Sequence, residues 1–534
     1  MEIRGFLKKN KVLSVIIILF LGWIITLTGL AFTANKEIIF YDWLAMKDVS
    51  DQYRSQIPLL RYFLEPIIGL SLVLNGYNIS AGIISTVIIY RIVYFHLKKK
   101  GYLESKKAKL LWYPVKDLIR FSFMVSSVAI LLGLLLVWII FLTVGFLYVN
   151  LYWMAILQTF IFISVTLIIL KAVVILIKYI HPKLKLNYKN KKRYNLPKAH
   201  TKPVKYFRIF RREFVYVMGI SFLVAGSGMI LLTVHFPMHE IETDLEEDEF
   251  LLDFHIHTYM SDGWISPEER VDWYMAHGID GAAFSDHDNL RGAEAASKYV
   301  EEHNLDFKVF YSMEWTDHEN GIHLNIFGLK ETIVPLESKT EEGPKAMNAE
   351  ETIKYVKDNG GFVMVNHYNY NDNPDGGFGT PYSLEELNDW GVDGFEIVNG
   401  AHPQDLRIRE FCLNKSLACI GGSDIHDNRE LNTFVKIKLN NTENYNVTDV
   451  FSVLKQNTHE VVGINLNPNE VRLHELFYAL ELDYIEDFTE YLLNLNTYQL
   501  LSWMLWSTGL FSLFALLYLR AKKWDLQKLR EKIL

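Results

Sequence analysis

Residues 253–263 read DFHIHTYMSDG. Two histidines two apart, with an aspartate five residues after the second, follow a long hydrophobic part of the chain. On a β-strand alternate side chains share a face, so His255 and His257 point the same way. Such a pair alone is more often structural than chemical, so partners must come from elsewhere in the chain.

Working outward, apolar runs of strand length alternate with helical patterns. LLDFHIH (251–257) is followed by SPEERVDWYMAHG, where Ser266 suits an N-cap, Pro267 the first helical position, and Glu269 completes a capping box. Further strands are predicted at 281–288, 307–315, 321–329, 361–367, 393–400 and 417–424, with helices near 291–303, 349–358, 383–389 and 403–414. Seven strands, mostly alternating with helices, predict an α/β fold with a parallel sheet or barrel.

Polar residues fall at the ends of these strands. His287 follows AAFSD, Glu314 follows VFYSM, His367 follows VMVN, and His323 starts or lies within its strand. Asp424 and His426 repeat the spacing of the opening pair. In α/β barrels the C-terminal strand ends form the active face. Imidazoles and carboxylates converging there suit Zn²⁺, Mn²⁺ or Fe²⁺, which accept mixed nitrogen and oxygen ligands. His277, His303, His318, His402, His459 and His474 lie off this pattern and read as surface or helix histidines.

Composition divides the chain in two. Half of the 534 residues are hydrophobic and the net charge is −8. Roughly 50 of the 62 acidic residues fall between 240 and 490, against about 17 of the 54 basic ones. An acidic surface there argues against nucleic-acid binding, which needs a basic footprint. Cys412 and Cys419, seven apart, make neither a disulfide framework nor a zinc motif. The expected organisation is a membrane region over 1–238 with about five transmembrane helices, a globular domain over 239–490, and a C-terminal span with a basic tail over 491–534.

A span needs about 20 apolar residues. Candidates are 12–33, 121–148, 152–178, 214–236, 498–519 and the second half of 57–97. The first half of 57–97 carries Arg61, Glu65 and Pro66 and reads as interfacial or re-entrant; Arg61 and Glu65, four apart, could pair on one helix face. With six spans, the Lys/Arg-rich N-terminus, the loop near 98–109, the loop before 214 and the C-terminus share one side, the cytoplasmic one. The acidic domain then lies outside the cell if the membrane is a bacterial plasma membrane. The first apolar stretch is too long for a cleaved signal peptide and reads as a signal anchor.

DFHIHTYMSDG, FSDHD, MEW with the nearby IHLNIFG, VNH and GGSDIH together resemble, in order and spacing, the PHP (polymerase and histidinol phosphatase) metallo-phosphoesterase domain, over roughly residues 250–465. The resemblance implies a distorted (β/α)7 barrel, here inserted between transmembrane helices, with two or three divalent metals in its mouth. It implies the ligands His255, His257, Asp262, His287, Glu314, His323, His367, Asp424 and His426. Asp286 and Asp288, flanking His287, are expected to orient imidazoles from behind. The implied reaction is phosphoester hydrolysis by a metal-activated water, with His257, Asp424 and His426 in catalytic positions and Arg291 as a phosphate contact. The external site favours an envelope-accessible or lipid-linked phosphoester. A carbamate or carboxyl-ester hydrolase of the same fold and a non-catalytic metal-binding sensor are the competing expectations. No P-loop and no HExxH is present.

Overall fold

The computed structural model describes residues 11–33, 38–73, part of 117–142, 149–180, 239–339, 343–368, 380–400, 402–440, 445–466, a few positions up to 474, and 484–533. From the N-terminus, α1 (Lys11–Thr33) precedes three short strands, β1 (Ile39–Asp42), β2 (Lys47–Asp48) and β3 (Tyr53–Gln56), then α2 (Leu59–Val73). After α3 (Val149–Ile180) come β4 (Glu240–Thr243), β5 (Glu249–Ile256), α4 (Pro267–Ala276), β6 (Gly281–Phe284), α5 (Arg291–His303), β7 (Lys308–Asp317) and β8 (Ile322–Phe327). The next group is β9 (Ile333–Pro335), β10 (Lys345–Met347), α6 (Ala349–Asp358), β11 (Phe362–Val365), α7 (Leu384–Trp390) and β12 (Gly394–Asn399). Then follow β13 (His402–Pro403), α8 (Leu406–Lys415), β14 (Ala418–Gly422), β15 (Thr433–Lys438), α9 (Val447–Leu454) and β16 (Glu460–Asn465), before α10 (Tyr484–Asn494) and α11 (Thr497–Ile533).

Local sequence signals account for the helix starts. Ser266, Asn348 and Ser383 each accept a hydrogen bond from the backbone three residues on, and a glutamate at that position returns one, closing three capping boxes. The seven predicted strands all form, as β5, β6, β7, β8, β11, β12 and β14. They belong to a 12-stranded mixed sheet rather than a parallel one. β5, β6 and β7 pair in parallel, as do β11, β12 and β14, but β8 runs antiparallel to both β7 and β11. The physical reason is the short link between β7 and β8. It turns through Gly321 in the left-handed region, and a parallel crossover needs a dozen or more residues. Among the described residues the ladders do not close into a barrel; an isolated bridge, Ile256 to Ile425, ties the segment after β14 to β5.

The division of the chain at residue 239 also needs correction. β1 pairs antiparallel with β16, and β3 with β4. Phe40 and Tyr53 stack with ring centroids 5.4 Å apart, and Tyr53 meets Phe434 edge-on. The segment 38–56 is therefore part of the globular domain, with β1 and β2 in the 12-stranded sheet and β3 in a two-stranded sheet with β4.

Among the described residues, two helical stretches are long and apolar enough to cross a membrane, Leu13–Phe32 and Thr497–Leu516. They pack together: Phe20 stacks on Phe511 at 4.3 Å, and Trp23 Nε1 donates to Ser507 Oγ at 2.9 Å. The hydroxyls of Thr26 and Thr28 turn back onto the carbonyls of Gly22 and Ile24, which covers their polarity within the apolar helix. The expected span 152–178 lies within α3, a 32-residue helix that includes the apolar stretch Phe162–Ile175. The expected spans 214–236 and 79–97 lie outside the described residues, and 121–148 is described only in part. Arg61 and Glu65 do pair on one face of α2, at 3.2 Å, and the pair is buried.

Candidate metal centre

β5 carries His255 and, one residue past its end, His257; both rings are fully buried. The loop after β14 returns to them because the Asp424 amide donates to the His255 carbonyl (2.8 Å) and the His257 amide to the Ile425 carbonyl (3.1 Å). Glu314 lies within β7 and His323 on the adjacent β8, so their side chains meet across the hairpin, Nδ1 to Oε1 at 2.9 Å. His287 follows β6 and forms an isolated bridge with Glu314. His367 follows β11, and its Nε2 lies 3.2 Å from Glu314 Oε1.

The structure brings all nine expected ligands together. They form four overlapping groups: His257, Asp262, His287 and His426; His255, Glu314 and His367; His255, His257 and Asp424; and His287, Glu314 and His323. Within each group the candidate donor atoms lie within 4.8 Å of one another. Glu314 is the hub, its Oε2 lying 3.2 Å from His257 Nε2 and 3.1 Å from His287 Nδ1. Asp424 Oδ1 lies 3.1 Å from His257 Nε2, and Asp262 Oδ2 lies 3.1 Å from His426 Nε2. Donors about 2.1 Å from a common ion, at angles between a right angle and the tetrahedral one, sit about 3.0–3.4 Å apart.

Proton bookkeeping gives an independent test of whether these residues fit a cation. His255 Nδ1 faces Glu396 Oε1 at 2.8 Å. A carboxylate only accepts, so Nδ1 carries the hydrogen and, in the neutral ring, Nε2 presents a lone pair. That lone pair faces His257 Nε2 at 3.1 Å and the carboxylates of Glu314 and Asp424, each at 3.4 Å. His426 has the same arrangement, with Nδ1 donating to the Asp424 carbonyl at 2.8 Å and Nε2 aimed at Asp262. Lone pairs converging on carboxylates demand either extra protons or a cation. Burial opposes the charged form of His255, but the charges of Asp424, Glu314 and Glu396 outweigh it and hold the imidazole well above its ordinary range. Burial likewise opposes ionisation of Glu314, yet His255, His287 and His323 hold it well below the usual carboxylate range.

Several supporting residues were not anticipated. Glu396, fully buried in β12, orients His255 through Oε1 and accepts the His367 amide through Oε2 at 2.9 Å. Asn366 donates to Glu314 at 2.9 Å, and Asn399 donates to both Glu396 and Asp424. The detectable signal for Glu396 was a charged residue within an otherwise apolar, strand-length run. The expectation for Asp286 and Asp288 is corrected. Asp286 accepts from the Thr258 amide, Thr258 Oγ1 and Ser261 Oγ, so it shapes the 258–261 loop. Asp288 accepts from the Thr316 amide, and it is the Thr316 hydroxyl that meets His287 Nδ1 at 2.7 Å. Arg291 donates to the Met260 carbonyl and the Asn289 side chain at the start of α5. Of the histidines expected at the surface or on helices, His277, at the end of α4, and His459 are buried. His277 Nδ1 is held by the Trp273 carbonyl and His459 Nε2 by that of Cys419. Asp288, His367 and Asp424 have positive φ, a conformation that costs about 1–3 kcal/mol each and clusters at functional sites.

Mixed α/β architecture with a convergent histidine–carboxylate cluster defines a candidate metal-binding site. The PHP domain model matches residues 253–382, which supports the PHP family for this part of the chain and with it divalent metals. An uncharacterized protein of Methanocaldococcus jannaschii is 25% identical over 181 residues, covering 30% of this chain and 89% of the relative. Among solved structures, a two-domain Bacteroides vulgatus protein, described as containing a predicted PHP-like metal-dependent phosphoesterase, is 22% identical with a TM-score of 0.34. That match covers 43% of this chain and 68% of the other. An amidohydrolase from Chromobacterium violaceum is 15% identical with a TM-score of 0.25, over 33% of this chain and 87% of its own.

Proposed function

We propose that this chain is a membrane-anchored, metal-dependent phosphoesterase with a di- or trinuclear site. The observation that carries the reading is the set of nine His, Asp and Glu side chains in four groups that share His255, His257, His287 and Glu314. One ion would be held by His257, Asp262, His287 and His426, and a second by members of the groups around Glu314. Divalent cations bound there would lower the pKa of a water and polarise phosphoryl oxygens. Glu396 keeps His255 in the tautomer that offers Nε2, and the Asp424 carbonyl does the same for His426. His257, Asp424 and His426 are the catalytic candidates, and Arg291 is the phosphate contact. Asp262 and His426, half-exposed, form the side of the cluster open to substrate.

The substrate is a phosphoester of the cell envelope, lipid-linked or otherwise external. In this reading the chain is a multi-pass bacterial plasma-membrane protein with its catalytic domain outside. The paired helices α1 and α11 support anchorage, and the Lys/Arg pattern supports the orientation. A reporter active only outside the cell, fused near residue 480, should be active.

The experiment uses the full chain in detergent, because 38–56 belongs to the globular domain. Stripped of metal and reloaded with Mn²⁺ or Zn²⁺, it is assayed on a phosphomonoester, a phosphodiester and a carboxyl ester, beside Asp424→Ala. Metal-dependent phosphate release that Asp424→Ala abolishes is the expected result. Ester cleavage alone would replace the phosphoesterase reading, and bound metal without turnover on all three would favour a sensor.

A further inference from the structure

Arg270 lies on α4 and is fully buried. Its guanidinium donates to three main-chain carbonyls: Nε to His257 (3.3 Å), Nη2 to Ile425 (3.4 Å) and Nη1 to Asp427 (2.8 Å). Its flat face lies 5.1 Å from the Trp273 ring. Among the described residues no carboxylate lies within ion-pair distance of it. A buried cation satisfied by carbonyl oxygens alone is costly, so its placement calls for a reason.

The reason lies in which carbonyls it holds. His257 is itself a candidate ligand, Ile425 sits between Asp424 and His426, and Asp427 directly follows His426. These belong to two chain segments about 170 residues apart in sequence. Those segments lie side by side at the cluster, joined by the Asp424 amide to His255, the His257 amide to Ile425, the Trp264 amide to the His426 carbonyl, and Ser423 to Asp253 and His255. The arginine fork bridges the same seam from behind. We propose that Arg270 is a positioning residue for the metal centre, setting the separation of His257 from Asp424 and His426 by clamping the backbone of both segments at once. The inference rests on the metal-binding reading above.

Specificity of the effect follows from the geometry. The groups containing His257, Asp424 and His426 depend on the clamp. The group of His287, Glu314 and His323 is built on β7, β8 and the end of β6, and Arg270 touches none of these. A lysine keeps the charge but is a point donor, without the planar fork that spans three acceptors. A leucine removes both.

The test is a calorimetric Mn²⁺ titration of the full chain, comparing wild type, Arg270→Lys and Arg270→Leu. Asp393→Asn serves as a stability control. Asp393 is buried just before β12, pairs with Lys357 and Lys455, and touches no ligand of the cluster. Positioning partners of metal ligands are worth about 10–100-fold in affinity. One class of Mn²⁺ site should weaken by that factor in Arg270→Leu and by less in Arg270→Lys, while the remaining class stays within about threefold. Asp393→Asn should lower thermal stability with both classes unchanged. Affinities at all sites within threefold of wild type in Arg270→Leu would overturn the proposal. So would a uniform loss matched by Asp393→Asn, since that marks a general structural role. If Arg270→Leu fails to fold, Arg270→Lys carries the same comparison. A wild-type chain that binds no Mn²⁺ would instead overturn the metal reading itself.

Discussion

Glu396→Gln isolates the tautomer control on which the metal site depends. In the native protein both carboxylate oxygens face donors: Oε1 takes His255 Nδ1–H at 2.8 Å, and Oε2 takes the His367 amide at 2.9 Å and Asn399 Nδ2 at 3.2 Å. Glutamine has the same shape but one oxygen and one amino group. With its oxygen kept on the His367 amide, its amino group meets His255 Nδ1. The ring then relieves the clash by giving up the Nδ1 proton and holding the one on Nε2. That N–H points at Glu314 and Asp424, 3.4 Å away, and the nitrogen can no longer ligate. Binding a metal requires the proton to move to Nδ1, at the expense of a charge-assisted hydrogen bond worth about 1.5–3 kcal/mol. At about 1.4 kcal/mol per tenfold, this corresponds to roughly a 10–100-fold weaker site. The metal-free protein exchanges one contact for another, so its stability should change by no more than about 1 kcal/mol, an ordinary net hydrogen bond. The assay pairs a Mn²⁺ titration with thermal unfolding of the stripped and loaded chain. A dissociation constant within threefold of wild type would refute the tautomer argument. An equal loss of stability in both forms would refute it too.

Two further outcomes follow from buried charge. Arg61 Nη1 lies 2.6 Å from Glu430 Oε1, with both side chains nearly inaccessible. Arg61→Met should therefore cost about 3–5 kcal/mol by stranding the carboxylates of Glu430 and Glu65, and adding Glu430→Leu should recover part of it in thermal unfolding. Burial holds His459 down to about 4, against the hydrogen bond to Cys419 that favours its charged form. A depressed folded-state value means full stability above the unfolded value near 6.5, and a loss of about 3 kcal/mol as pH falls from there to 4. His459→Asn should remove that slope from the variant, so the wild-type-minus-variant difference in denaturant unfolding should itself fall between pH 7 and 5; an unchanged difference over that range would contradict the burial argument.

What could be read from the sequence was local. Strand alternation puts His255 and His257 on one face without knowledge of any neighbour, and capping boxes at Ser266, Asn348 and Ser383 act within four residues. The antiparallel β8 was also legible in principle, since the few residues joining it to β7 cannot hold a crossover. β1 was not. It is four residues long, without marked alternation, and its partner β16 lies more than 400 residues away, Ile39 opposite Asn465. The same division runs through the site. Residue type marks a ligand, because few groups bind metal and they recur at strand ends. Residues that aim the ligands have no such signature: Glu396 reaches His255 across 141 positions and Arg270 reaches Asp427 across 157. Arg270 adjoins the capping-box Glu269 in a charged first turn, a place where an arginine normally faces solvent. Only the fold shows that its fork points inward, onto the carbonyls that flank the candidate ligands. The candidate ligands were therefore legible from residue type at a handful of positions, whereas the contacts that hold nine of them together are ones that no local pattern encodes.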